Sequence, residues 1–333
     1  MGLGGFRTAW QRQTLHFGHE RRDQYSVLLI DNRGMGDSDK PLMRYSTSEM
    51  ALDIVEVLAS PDVGWLPSYP LPPSPPAPAP ERTLHVVGIS LGGMIAQELA
   101  VVLAEYLSSL SLICTAAVVE NTASFAEHMA QRASLILPKS VDRSVADAAR
   151  RIFAPSWLAL PDDVRLPDPA TTPKCKPPPP VAEGASGSGS GSSSSSSSSS
   201  GNGGEGEGRY LKFETNAQRF VAQELHKRLD PAGRFTLKGF LLQLIAAGWH
   251  RKSPAQLAAM ADRVGRDRIL VMHGTEDGMI SVPHGRKLID YVRPAKGIIV
   301  EGMGHAPLVE RWEWFNQVIE EQCLLGERLD GRA

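Results

Sequence analysis

Only three cysteines, Cys114, Cys175 and Cys323, occur in the 333 residues. They form neither a disulfide framework nor a metal-ligand spacing, so no structural metal is expected and the expected compartment is reducing. Charge of one sign is also scarce. The 35 Lys and Arg against 37 Asp and Glu leave a formal net charge of -2, with no basic stripe. That argues against nucleic acid as a partner. No apolar run reaches the ~18 residues that a membrane helix needs. The opening MGLGGFRTAWQRQ lacks the charged region and apolar stretch of a secretory signal. It also fails the myristoylation pattern, because Phe6 stands where Ser or Thr is needed. Together these absences point to a cytoplasmic protein. What is present is apolar residue, 42% of the chain, which is enough for a full core.

The apolar residues are grouped. Short runs at 25–31 (YSVLLID), 84–89 (LHVVGI), 110–117 (LSLICTAA), 268–274 (RILVMHG) and 297–302 (GIIVEG) read as buried parallel strands. Helical patterns follow or lie between them at 47–59, 93–106, 284–292 and 307–323. The alternation predicts an α/β fold, a doubly wound and mostly parallel sheet, whose ligands bind beyond the carboxyl ends of the strands. Two inserts interrupt it. Residues 67–80 are Pro-rich and lengthen one helix-to-strand connection. Residues 167–208 are low-complexity, rich in Ser, Gly and Pro, and offer almost nothing to bury. Their serine run at 192–200 reads as inert linker in preference to a phosphorylated tract. The expected organisation is a core in two parts, 1–117 and 257–333, around a helical cap at 118–256 that contains the low-complexity insert.

HVVGISLGGMIAQ, residues 85–97, sets Ser90 between Gly88 and Gly92. G-x-S-x-G at the end of a strand and the start of a helix is how a nucleophilic serine is held on a sharp turn. By chance alone the pattern arises in a chain of this length roughly one time in ten at average Gly usage. Context must therefore carry it. Serine needs a base to take its proton, and the base needs a third group to orient it. His305, in VEGMGHAP, lies a few residues past an apolar strand, where a loop delivers it to the carboxyl edge. His273 ends a strand and reads as a supporting residue, while His85 begins the serine's own strand at the wrong end. For the acid, HGTEDGMIS places Glu276 and Asp277 just past a strand, and the D-G step marks a turn. Asp31 and Asp37 are rivals that precede the serine. Taking Asp277 gives the chain order Ser90, Asp277, His305, the order of α/β-hydrolases.

Four segments in this order resemble that superfamily: DNRGMGDSDKP, GISLGG, HGTEDGMIS and GMGHAPLVERWEWFN. The resemblance covers nearly the whole chain outside the inserts and implies Ser90 as nucleophile, Asp277 as acid and His305 as base. It implies the backbone N–H of Leu91 as one oxyanion donor. MGLGGF resembles the family's H-G-x-x-G oxyanion loop, with Met1 in place of His, and implies Leu3 N–H as the other donor. No metal or organic cofactor is implied. The strands that precede this loop in the family are absent, which leads to the expectation of a truncated chain with a gap beside HVVGIS and a poorly anchored oxyanion loop. The expected function is a serine hydrolase cleaving an ester, lactone or amide of a small, partly apolar molecule. The alternatives are a defective homologue acting as an interaction protein, and a C–C bond hydrolase. Oligomeric state is not legible.

Overall fold

The computed structural model describes residues 1–71, 80–120, 140–162 and 213–332. The expected linker at 167–208 and most of the Pro-rich stretch fall outside them. Four parallel strands form one sheet: β1 (Leu84–Ile89), β2 (Leu107–Ile113), β3 (Ile269–Gly274) and β4 (Lys296–Val300), paired in that order. Parallel neighbours need crossover connections, which helices supply here. In chain order the helices are α1 (Gln11–Leu15), α2 (Thr47–Ala59), α3 (Leu91–Leu103), α4 (Val141–Ile152), α5 (Pro155–Leu158) and α6 (Asn216–Arg228). Then come α7 (Leu237–Trp249), α8 (Pro254–Val264), α9 (Val282–Val292), α10 (Pro307–Glu310) and α11 (Trp312–Leu329).

Helix starts follow local chemistry. Ser46 accepts from the Glu49 N–H while the Glu49 side chain returns to the Ser46 N–H, and Ser253 does the same with Gln256. Each such box satisfies two donors that a helix N-terminus leaves orphaned. Alternate side chains of each strand face opposite ways. Ile269 and Val271 enter one apolar cluster with Leu110 and Leu112 of β2, beneath α2, α3, α8 and α9. Leu270 and Met272 enter the other with Ile113, Phe315 and Ile319, beneath α11 and the N-terminal helical turns. The sheet is thus covered on both faces, and its carboxyl edge is left to loops.

Two strand expectations change. β2 spans 107–113, not 110–117, because Cys114 adopts φ 46° and ends it. The run 25–31 forms no strand. A strand exists only through ladder partners, and β1 pairs with β2 alone among the described residues. The run is held by side chains instead: the Tyr25 ring meets the His85 ring edge-on at 6.4 Å, and Leu28 and Leu29 pack on opposite apolar clusters.

Candidate active site

β1 ends at Ile89 and α3 begins at Leu91, so Ser90 must reverse the chain alone. It does so at φ 56°, ψ −122°. Few side-chain-bearing residues adopt positive φ, and holding one there costs of order 1–3 kcal/mol. The turn is tight enough to forbid side chains next to it. A Cβ on Gly88 would stand 2.3 Å from the Gly92 carbonyl oxygen and 2.8 Å from the Ala96 Cβ. Four bonds fix the Ser90 backbone, the longest from the Met94 N–H to its carbonyl at 3.2 Å. Its N–H donates to the Ile113 carbonyl at 2.9 Å, and its own carbonyl accepts from the Thr115 hydroxyl at 2.7 Å and the Gly93 N–H at 2.9 Å. The residue is 7% exposed, less than a surface turn would allow. Leu91, the first helical residue, has no acceptor four residues back inside α3, so its N–H is an intrinsic orphan.

β3 and β4 deliver the other two groups to the same edge. The Asp277 Oδ1 accepts from the N–H groups of Met279 (2.9 Å) and Ile280 (2.8 Å). Its Oδ2 lies 2.6 Å from the His305 Nδ1 and 3.2 Å from the His273 Nε2. Burial pushes the carboxyl up, but His305 and His273 outweigh it and hold Asp277 well below the ordinary carboxylate range. The acid therefore stays ionised against the imidazole, which fixes Nδ1 as the protonated ring nitrogen and leaves Nε2 as the basic one. The loops are braced together: Glu276 N–H donates to Met303 O (3.0 Å), and Gly304 N–H to the Glu310 carboxylate (2.8 Å). The C-terminal carbonyls of α4 join them, Arg151 O accepting from Gly278 N–H and Ile152 O from His305 N–H.

The chain matches the family described as "Alpha/beta hydrolase family" over residues 2–318. The chain belongs to this family. It is 26% identical over 156 residues to 3-oxoadipate enol-lactonase 2 of Acinetobacter baylyi, covering 47% of this chain and 49% of that one. The match spans about half the length of that curated relative. In structure the α/β hydrolase resembles an esterase from Thermogutta terrifontis, with TM-score 0.57 at 15% identity over 95% of this chain and 84% of that one. It also resembles the meta-cleavage product hydrolase of Pseudomonas fluorescens IP01, with TM-score 0.60 at 14% identity over 96% and 86%.

Within this α/β hydrolase the structure joins Asp277 to His305 and brings Ser90 to the same sheet edge. Among the described residues no hydrogen bond links the Ser90 Oγ to the His305 ring; such bonds often tighten only with substrate bound. Glu276 is exposed. The rivals Asp31 and Asp37 are engaged elsewhere, both on the Arg7 guanidinium. Leu3 lies in a loop resting on the serine: a Cβ on Gly2 would stand 3.2 Å from Ser90 Cβ and 3.6 Å from Oγ.

That loop is not loosely anchored, contrary to expectation. Asn32 Nδ2 donates to Met1 O (2.9 Å), Gly5 N–H to Gly2 O (3.1 Å), Gly4 N–H to Gln243 Oε1 (2.9 Å) and Arg7 N–H to Asp31 Oδ1 (2.6 Å). Gln243 and Glu310 were missed from sequence. For Gln243 the available signal was one amide inside the apolar helix LKGFLLQLIAAGW. As for metals, Cys114, Asp277 and His305 place donor atoms within 4.8 Å of one another. The set is ill-suited to a cation: Asp277 Oδ2 is already bonded to His305 Nδ1, and burial pushes the Cys114 thiol well above its ordinary value and keeps it protonated.

Proposed function

We propose that this α/β hydrolase is a serine hydrolase acting on an ester, lactone or amide of a small, partly apolar molecule. The observation that carries the reading is the strained Ser90 at a helix N-terminus, on the sheet edge that also holds the paired Asp277 and His305. Ser90 Oγ attacks the acyl carbonyl while His305 Nε2 takes its proton. Asp277 keeps the Nδ1 proton in place and stabilises the imidazolium as it forms. The tetrahedral oxyanion accepts from the N–H groups of Leu3 and Leu91. Collapse breaks the bond to the leaving group, which takes the proton from Nε2. Water, deprotonated by the same nitrogen, then attacks the acyl-serine and releases the acid and free Ser90.

The Acinetobacter relative, named as an enol-lactonase, supports a cyclic or linear carboxylic ester as the substrate class. The test is fluorophosphonate labelling together with p-nitrophenyl butyrate hydrolysis, in the wild type and in Ser90→Ala. Both signals are expected in the wild type and neither in the variant. Labelling that survives in Ser90→Ala removes Ser90 from the reaction.

A further inference from the structure

We propose that Gln243, on α7, is a positioning residue that selects the conformation of the oxyanion loop. The proposal rests on the reading of Leu3 N–H as an oxyanion donor. Gly2 to Gly5 form a turn closed by the Gly5 N–H to Gly2 carbonyl bond of 3.1 Å, with Gly4 at φ 64°. Positive φ at the third position is the type II arrangement, and rotation of the central peptide converts such a turn to type I. The central peptide here joins Leu3 to Gly4, and its N–H is the one that Gln243 Oε1 accepts at 2.9 Å. A rotated peptide would turn the Leu3 carbonyl toward Oε1, oxygen against oxygen. Gln243 therefore opposes the rotation directly.

The amide cannot adapt by turning over. Its Nε2 donates to the Arg33 carbonyl at 3.0 Å. Exchanging oxygen and nitrogen would set donor against the Gly4 N–H and acceptor against the Arg33 carbonyl. Gln243 is fully buried, so water offers neither group a substitute. The helix that carries it is itself seated on the Arg33 loop: the Gly239 Cα, one turn earlier, lies 3.4 Å from where a Cβ on Gly34 would be. Tyr45 hydroxyl also donates to the Arg33 carbonyl, at 3.0 Å. On the far side of the turn, Lys227 Nζ donates to the Gly4 carbonyl at 3.2 Å. Three successive peptide planes are thus held, the first by the turn's own bond, the second by Gln243 and the third by Lys227. Leu3 N–H belongs to the first plane and finds no acceptor among the described residues. Freeing the second plane tilts the first through the shared Leu3 Cα, and a misplaced donor loses the benefit of preorganisation.

Two readouts test this. Gln243→Leu removes both bonds at similar side-chain length, whereas Gln243→Glu, held as the neutral acid by burial, restores the acceptor for Gly4 and donates its O–H to the Arg33 carbonyl. Turnover of p-nitrophenyl butyrate should show kcat lowered about 10–100-fold in Gln243→Leu, at most the loss of one oxyanion donor, with KM little changed. Gln243→Glu should recover most of kcat. Hydrogen exchange at the Gly4 amide should be faster in Gln243→Leu by on the order of 10²-fold and near wild type in Gln243→Glu. Should Gln243→Leu fail to fold, Gln243→Asn, one methylene short of both partners, takes its place with the same expectation. Unchanged kcat together with unchanged Gly4 exchange in a folded Leu or Asn variant overturns the proposal. So does a Glu variant no better than Leu in both readouts. If the wild type neither labels with fluorophosphonate nor turns over ester, the hydrolase reading fails separately, and Gly4 exchange alone then decides whether Gln243 sets the loop.

Discussion

Replacing Ser90 with glycine should abolish turnover and yet raise stability. The residue sits at φ 56°, ψ −122°, outside the regions open to side-chain-bearing residues. Strain of this kind costs of order 1–3 kcal/mol, and glycine relieves it. Against the gain stands the greater freedom of glycine in the unfolded chain, about 0.4–1 kcal/mol. Little else is lost, because the Oγ makes no hydrogen bond among the described residues and the side chain is small. The net change is a stabilisation of roughly 0.5–2 kcal/mol. At about 2–4 °C per kcal/mol for a domain of this order, Tm should rise by roughly 1–8 °C. Ser90→Ala is the control, since it removes the hydroxyl but keeps the Cβ and the strain. Its Tm should stay close to wild type. Calorimetry and urea midpoints on the three proteins measure the difference. If Ser90→Gly melts at or below Ser90→Ala, the turn is not strained, and the argument that a functional hydroxyl is being held there loses its physical basis.

Two further outcomes follow from the same geometry. Asp277→Asn should lower kcat by on the order of 10⁴-fold, since the wrong His305 tautomer is then favoured, whereas Glu276→Gln, altering an exposed side chain, should leave kcat nearly unchanged; a larger loss in the Glu276 variant would reverse the assignment. His250 bonds to Thr47 Oγ1 at 2.9 Å and Gln97 Oε1 at 3.3 Å, and burial and then Lys252 bring its pKa from 6.5 to about 3. Its contribution is therefore complete above pH 6.5 and is lost as pH falls, because the unfolded chain takes up a proton that the folded site refuses until about pH 3. Urea unfolding at stepped pH should show wild-type stability declining relative to His250→Gln by about 1.4 kcal/mol per unit between pH 6 and 4, and parallel curves would contradict the burial argument.

The strands legible in the sequence were those whose side chains are apolar but for one histidine each. LHVVGI and ILVMHG are nearly continuous apolar runs because a parallel strand covered on both faces has no solvent-facing polar side. The start of β2 was hidden by Ser108 and Ser109, both buried. Both hydroxyls are matched by distant partners, Ser108 to Asp330 at 2.7 Å and Ser109 to the His85 ring at 2.8 Å. Hydropathy cannot register a polar side chain whose partner lies more than 20 or 200 residues away. The run 25–31 failed for the opposite reason. Its composition is that of a strand, but composition does not include the neighbour that would accept its ladder bonds.

The candidate site divides along the same line. Ser90, Asp277 and His305 were legible because each follows a strand by a few residues, and the topology of a parallel sheet brings such loops together whatever lies between them. Their support was not legible because none of it is local. Gly4 meets Gln243 across 239 positions, and Arg7 meets Asp31 across 24. What lies covalently next to the N-terminal loop predicts a loose one. The structure holds it by what folds over it. Preorganisation in this enzyme class is a matter of fixed dipoles, and here the dipoles of the Gly2–Gly5 turn are set by a helix more than two hundred residues downstream. A change in α7 is therefore expected to alter the chemistry at Ser90 without touching substrate, by way of a single buried amide.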